Sequence, residues 1–151
     1  MTEGFPRVWV FFYGTFMNVG VLADHGVTAS ETVPARVGGF ELTIRPRVNL
    51  VASDRWCVYG GLVAVTHEDL ARIYSGLDER FGVTYLSEAV LAETRDGALR
   101  PALCYVAQHM AAGPADGAYV RHLAACVRGL RLPEWYAMHV ESFAPVEGET
   151  A

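Results

Sequence analysis

The sequence predicts a single α+β domain built around a small, strongly curved β-sheet. About six segments have the apolar pattern of strands, and two or three have the 3.6-residue periodicity of helices. The helices fall mainly in the later half of the chain rather than after each strand, which disfavours a doubly wound parallel sheet. Two predicted strands contain adjacent glycines, at 38–39 and 60–61. Such pairs favour the sharp bends that close a sheet into a barrel.

The composition fits one globular domain over residues 1–151, with the acidic tail 146–151 expected to fray. With 52% hydrophobic and 19% charged residues, the chain can build a core without a disulfide or a metal. No apolar run reaches the ~20 residues of a membrane span, and no signal peptide is visible. We therefore expect a cytoplasmic protein that acts away from the membrane.

Several kinds of chemistry are excluded or disfavoured by residue usage. All twelve basic residues are arginine, so no P-loop lysine, Schiff-base lysine or lysine base is available. The three cysteines and five histidines are scattered without zinc-site spacing, so no metal is expected. A net charge of −5 and the lack of a basic run argue against nucleic acid. The expected partner is a small molecule, bound by a monomer or a homodimer.

The first strand, 8–13, is apolar throughout and runs directly into the turn Tyr13-Gly14-Thr15. A glycine turn after a buried strand leaves N–H groups without a sheet partner, and these can hold a carboxylate or another anion. The alternative is that Gly14 only lets the chain bend and Tyr13 only packs. Residues 16–25 fit either a loose turn or a short helix.

The middle of the chain reads as strand 34–42, broken at its glycine pair, and an extended segment 43–51 that Pro46 confines to an edge or a loop. A turn at 53–55 precedes a strong strand, 57–65. Arg45 and Arg47 flank Pro46, where they could meet an anionic substrate or, more simply, form a solvated edge.

The remaining elements have clear terminal signals. Thr66 is a good N-cap, and Asp69 completes a capping box for a helix that ends near Ser75. Beyond a charged turn, strands 85–93 and 100–107 are joined at a hairpin turn with the sequence Asp-Gly. Two further helices are predicted, at 118–128 and 132–140. Gly129 is placed as the C-cap of the first, and Pro133 falls in the first turn of the second.

Five segments, taken in order from Val8 to about Phe143, together resemble the gamma-glutamylcyclotransferase-like family. The turn Tyr13-Gly14-Thr15-Phe16-Met17 is similar to the family's YG(S/T)xM substrate loop. The other four are the strand 58–65, the helix from His67 into Leu77-Asp78, the hairpin 85–105, and 129–136, which resembles the G-L-P-x-x-Y segment.

The resemblance implies a small mixed β-barrel with helices packed outside and a polar pocket at one end. The implied reaction is an acyl transfer within the substrate. The α-amine of a gamma-glutamyl group attacks its own γ-carbonyl, which closes 5-oxoproline and releases an amine or amino acid without a metal or organic cofactor. The substrate-binding residues that it implies are Tyr13, Gly14, Thr15, Phe16 and Met17 of the turn, together with Tyr136. Phe81 is a further candidate, as a residue that lines the pocket.

One position departs from the family pattern, because its catalytic glutamate falls on Phe81. In one interpretation a nearby carboxylate replaces it. Glu79 lies in the same turn, where a shifted loop could aim it into the pocket, although a solvated turn carboxylate is the simpler interpretation. Glu88 shares a predicted strand face with apolar Leu86 and Val90, so it needs either an arginine partner or a function.

Two other interpretations remain open. The pocket can serve a changed reaction, for instance in a biosynthetic pathway, with Phe81 lining an enlarged apolar site and Tyr136 or a histidine moving protons. Alternatively, the chain is a non-catalytic small-molecule binder with the same fold. The sequence favours an enzyme that transfers an acyl group within a gamma-glutamyl or related amino-acyl amine.

Overall fold

Five strands form a closed barrel in the computed structural model, which describes residues 6–29, 31–75, 82–110 and 113–145. The barrel order is β1-β3-β2-β4-β5, and β5 closes onto β1 in parallel, whereas the other neighbours are antiparallel. The predicted α+β architecture with a small mixed barrel is thereby confirmed. The strands are β1 (Arg7–Phe12), β2 (Val33–Ile44), β3 (Val48–Thr66), β4 (Val83–Thr94) and β5 (Leu99–Met110).

The described residues contain five strands rather than about six, because two predicted strands belong to one. The chain reverses between Ile44 and Val48, and β3 then runs without interruption to Thr66. The predicted turn at 53–55 is an irregular part of β3. Opposite it, the β2 ladder jumps from Gly38 to Phe40.

The two glycine pairs shape the barrel in different ways. Gly39 has a φ of +92° at the register shift in β2, which confirms the predicted bend. Gly60 and Gly61 instead allow close packing. A Cβ on Gly60 would lie 2.1 Å from the carbonyl oxygen of Phe12, and one on Gly61 would lie 2.0 Å from Cγ2 of Thr32. Gly60 therefore lets β3 lie close to the end of β1, and Gly61 lets it lie close to Thr32.

Four α-helices lie in the described part of the chain, namely α1 (Val19–Asp24), α2 (His67–Tyr74), α3 (Gly117–Gly129) and α4 (Glu134–Glu141). The segment 16–25 is helical, since a 3-10 turn at Thr15–Met17 leads into α1. The capping box of α2 is confirmed. The Asp69 N–H donates to the Thr66 hydroxyl and the Thr66 N–H donates to the Asp69 carboxylate, both at 3.0 Å. None of the described helices is long and apolar enough to cross a membrane.

The predicted C-cap at Gly129 was wrong, because that residue is the last of α3 and the left-handed position falls on Arg131 (φ 57°). Here the Leu132 N–H donates to the Val127 carbonyl at 3.3 Å. For a residue other than glycine, the left-handed backbone conformation costs about 1 kcal/mol relative to the right-handed one. Arg95 stabilises the turn that follows α3, since its guanidinium donates to the carbonyls of Leu130 and Arg131.

Asn49 links the start of β3 to β5, two strands that are not neighbours in the barrel order. Its side-chain amide donates to the Ala107 carbonyl at 3.3 Å and accepts from the Ala107 N–H at 2.9 Å. The side chain thus makes the two hydrogen bonds that a neighbouring strand would make. These bonds fix the start of β3, and with it Arg47 and Val48, at one end of the barrel.

Candidate active site

A pocket of about 160 Å³ opens at the end of the barrel where β1 stops. The β1 turn forms one side, the end of α2 forms the second, and residues from the β2–β3 connection, β4, β5 and α3 form the third. Its lining outside the turn comprises Phe11, Phe12, His25, Arg47, Val48, Arg72, Ile73, Tyr74, Ser75, Tyr85, Tyr105 and Tyr119.

The turn contributes Tyr13, Gly14, Thr15 and Phe16 to the lining of this pocket. Gly14 is extended (φ −108°), so its glycine is not required by a left-handed backbone. It is required by space, because a Cβ would lie 2.9 Å from Cγ1 of Val48. The amides of Thr15 and Phe16 begin the 3-10 turn and therefore have no carbonyl acceptor within it.

Tyr13 fastens the end of β1 to the opposite wall. Its hydroxyl donates to the Tyr105 carbonyl at 2.6 Å, across 92 residues of sequence. Burial, the largest cause, raises the pKa of Tyr13 well above its usual value. The phenol therefore stays protonated at neutral pH and serves as a hydrogen-bond donor rather than as a base.

A wall of tyrosines faces the turn. Tyr74 stacks on Tyr105 with ring centroids 4.2 Å apart, and Tyr85 lies 5.4 Å from Tyr74. Burial raises the pKa of Tyr74, Tyr85 and Tyr105, and it raises the pKa of Tyr119 to about 12. These side chains give the pocket an apolar surface with neutral hydroxyl groups.

Arg47 places a guanidinium in this aromatic wall. Its central carbon lies 5.0 Å from the centroid of the Tyr119 ring. The same cation opposes the burial-induced rise in the pKa of Tyr85, through its charge and a side-chain hydrogen bond. The hydroxyl of Tyr119 in turn accepts from the Val48 N–H at 3.3 Å. The alternative of a solvated edge for Arg47 was wrong, because this side chain lines the pocket.

His25 and Arg72 occupy the opposite rim. The His25 ring meets Phe16 edge-on at 5.0 Å, and its Nδ1 lies 3.0 Å from the Val21 carbonyl oxygen. A carbonyl can only accept, so Nδ1 is the donor in this contact. Arg72 forms ion pairs with Glu68 and Asp69 of its own helix.

Other candidate residues lie elsewhere. Met17 is fully buried in the core. Tyr136 of α4 is 2% exposed, packs on Tyr59 with centroids 5.0 Å apart, and is not part of the pocket lining. Glu79 and Phe81 lie outside the described residues.

Glu88 of β4 is exposed and does not line the pocket. The premise that it occupies an apolar, buried face was wrong, since its neighbour Leu86 is 52% exposed. Glu88 lies opposite Cys104 of β5. Burial, with a further contribution from the Glu88 charge, raises the pKa of that thiol to about 12.

Sequence reasoning named Arg47 but missed Tyr74, Tyr85, Tyr105 and Tyr119 as residues of one pocket. One signal was available, since these four are among the seven tyrosines of the chain. Within the described ranges, no group of three or more His, Cys, Asp or Glu side chains is arranged to hold a metal ion.

Together, these features define a closed mixed barrel with a pocket beneath a glycine turn at one end. The sequence matches the family described as "gamma-glutamyl cyclotransferase, AIG2-like" over residues 10–121. The chain therefore belongs to that family. No curated protein matches the sequence.

Solved structures share the fold at low sequence identity. A gamma-glutamyl cyclotransferase aligns with a TM-score of 0.75 and 14% identity, over 96% of this chain and 92% of its own. A yeast gamma-glutamyl cyclotransferase specific to glutathione aligns with a TM-score of 0.59 and 12% identity, over 91% and 95%. An AIG2-like protein from Mus musculus gives 0.56 and 19%, over 70% and 80%.

Proposed function

We propose that this chain catalyses the cyclisation of a gamma-glutamyl compound to 5-oxoproline in the pocket beneath the Tyr13-Gly14-Thr15 turn. The α-amine nitrogen forms a bond to the γ-carbonyl carbon, and the bond from that carbon to the amide nitrogen breaks. One proton leaves the attacking nitrogen and one reaches the departing nitrogen. The products are 5-oxoproline and a free amine or amino acid.

The proposal is carried by one observation. The segment that matches the family includes the glycine turn, and that turn forms one wall of a pocket that opens at the end of the barrel. The attacking and accepting groups are already in one molecule, so the protein must hold a reactive conformer and transfer a proton. Backbone amides at the turn and neutral phenols around it suit the holding of a carboxylate and a developing oxyanion.

Glu79 is the carboxylate that we propose as the proton acceptor. The described residues that line the pocket include no Asp or Glu, and Glu88 is exposed outside this lining. Ser75 does line the pocket, and Glu79 follows it by four residues, within about 14 Å of extended chain. A carboxylate in a partly apolar site has a raised pKa and can act first as base and then as acid.

The direct test is to incubate the protein with gamma-glutamyl amines and dipeptides and to quantify 5-oxoproline by mass spectrometry. We expect release with at least one substrate. The matched control is Gly14→Val, whose side chain collides with Val48 and fills the space at the turn. Its product should fall to the background rate of spontaneous cyclisation.

No 5-oxoproline from any substrate contradicts the proposal. In that case a non-catalytic small-molecule binder is the better reading, and Phe81 at the family's glutamate position is the observation that favours it. Equal product from the wild-type protein and Gly14→Val would also contradict it, because the turn would then play no part.

A further inference from the structure

A second groove, of about 420 Å³, lies where β2, β3 and the end of β4 meet the connection between α3 and α4. Here β2 and β4 are paired through Ala35 with Thr94 and through Arg36 with Glu93. The groove shares no described lining residue with the pocket beneath the glycine turn. Its volume falls within the range of small-molecule sites, so it is a candidate for a binding site of its own.

The described lining of this groove is cationic, although the chain has a net charge of −5. It includes Arg36, Arg95 and Arg131 but a single carboxylate, that of Glu93. Glu93 is already engaged, because its Oε1 lies 2.8 Å from the Arg36 guanidinium. The charges of Arg95 and Arg131 therefore have no counter-ion in the described lining, and together they favour an anion.

Arg95 is oriented by the turn that follows α3. Its Nη2 donates to the Leu130 carbonyl at 2.9 Å and also to the Arg131 carbonyl. A guanidinium has five N–H donors, and Nη1 and Nε of Arg95 make no hydrogen bond to another described residue, so donors remain for a ligand. These bonds bring the Arg95 charge to the turn from which the Arg131 side chain extends. Two cations at one turn suit a single, doubly charged group.

Arg131 occupies a backbone position that favours glycine. Its φ is 57°, a conformation that glycine adopts without the steric cost of a Cβ atom. The side chain is exposed and makes no hydrogen bond or ion pair with another described residue. The described contacts of this side chain therefore do not offset the backbone cost. An anion bound in the groove that Arg131 lines would offset it.

The rest of the groove can hold an apolar group. Three lining residues share this apolar character, namely Pro34, Leu132 and Pro133. The Tyr59 ring also lines the groove, and it is held edge-on against Trp135 and Tyr136 with centroids 5.7 and 5.0 Å apart. A cationic turn beside a fixed apolar surface fits a small molecule with an anionic head and an apolar body.

We propose that this groove binds a small phosphate monoester, with the phosphate at Arg95 and Arg131 and the organic substituent against Tyr59 and the neighbouring prolines. A phosphate monoester carries nearly two negative charges at neutral pH and accepts paired hydrogen bonds from planar guanidinium groups. The site lies beyond the proposed cyclisation and does not depend on it.

Calorimetric titration with phenyl phosphate at pH 7.5 tests the proposal, and phenyl sulfate is the reference ligand because it has the same shape but a single negative charge. We expect phenyl phosphate to bind about 10-fold more tightly than phenyl sulfate. Arg131→Gln should weaken phenyl phosphate binding by about 10-fold, as for the loss of a hydrogen bond to a charged group. Arg121→Gln is the matched control and should leave both affinities unchanged, since Arg121 is exposed on α3 but does not line the groove.

Arg131→Gly separates binding from folding. Because glycine adopts the left-handed conformation freely, the thermal unfolding midpoint should not fall, whereas phenyl phosphate binding should weaken as in Arg131→Gln. A lower midpoint in both Arg131 variants would overturn the inference, because the side chain would then support the fold. No saturable binding of phenyl phosphate, equal affinities for the two ligands, or equal weakening by Arg121→Gln and Arg131→Gln would also overturn it.

Discussion

Replacing Gly60 with alanine is expected to destabilise the protein by about 3 kcal/mol, at the upper end of the usual cost of overpacking. The new Cβ would lie 2.1 Å from the carbonyl oxygen of Phe12 and 3.1 Å from Cζ of Phe11. The nearest atom belongs to the backbone, so no side-chain rotation relieves the clash. The end of β1 must move, and it carries the Tyr13-Gly14-Thr15 turn with it.

Urea denaturation followed by circular dichroism measures this effect. Gly38→Ala is the matched control, because Gly38 also lies in a strand but has no atom within 4 Å of its Cβ position and no left-handed φ. That variant should keep or slightly raise the stability, since alanine restricts the unfolded chain. Similar unfolding midpoints for the two variants would show that the barrel tolerates a wider gap between β1 and β3.

Glu79→Gln is expected to reduce 5-oxoproline formation by about 10²- to 10⁴-fold, the usual contribution of a general base. The glutamine keeps the size of the side chain but cannot accept the proton from the attacking amine. Initial rates with the preferred substrate, measured by mass spectrometry, give the comparison. The stability should be unchanged, which separates loss of the base from loss of the fold.

Glu88→Gln is the control for this variant, since Glu88 is exposed on β4 and outside the pocket lining. Its rate should equal that of the wild type. Phe81→Glu is the complementary variant, because it restores a carboxylate at the family's position, and it should raise the rate of Glu79→Gln. Full activity in Glu79→Gln would exclude this base and direct attention to His25, which lines the rim of the pocket.

The parts of the fold that depend on neighbouring residues were predictable from the sequence. Thr66 and Asp69 form their capping box because both partners lie within one helical turn. The turn at Gly14 follows β1 as expected, since an apolar strand and a glycine turn are local signals. The need for a glycine at position 14 could not be seen from neighbouring residues, because the atom that a side chain there would meet belongs to Val48.

The parts that depend on tertiary contacts were not predictable. Alternation along β4 assigned Glu88 to a buried face, but alternation does not show which portions of a face other elements cover. A glycine near the end of a helix suggested a C-cap at Gly129, yet the chain places Arg131 there. Arg47 was equally compatible with solvent until the barrel closed and brought Tyr85 and Tyr119 beside it.

In the proposed function, the pocket beneath the glycine turn holds the glutamyl group. Binding there is measured by the amide chemical shifts of the ¹⁵N-labelled protein during titration with 5-oxoproline. We predict that the largest shifts occur at Gly14, Thr15 and Phe16. Shifts that are confined to the larger groove of about 420 Å³ beside Arg36 and Arg131, or no saturable shifts at all, would contradict the claim.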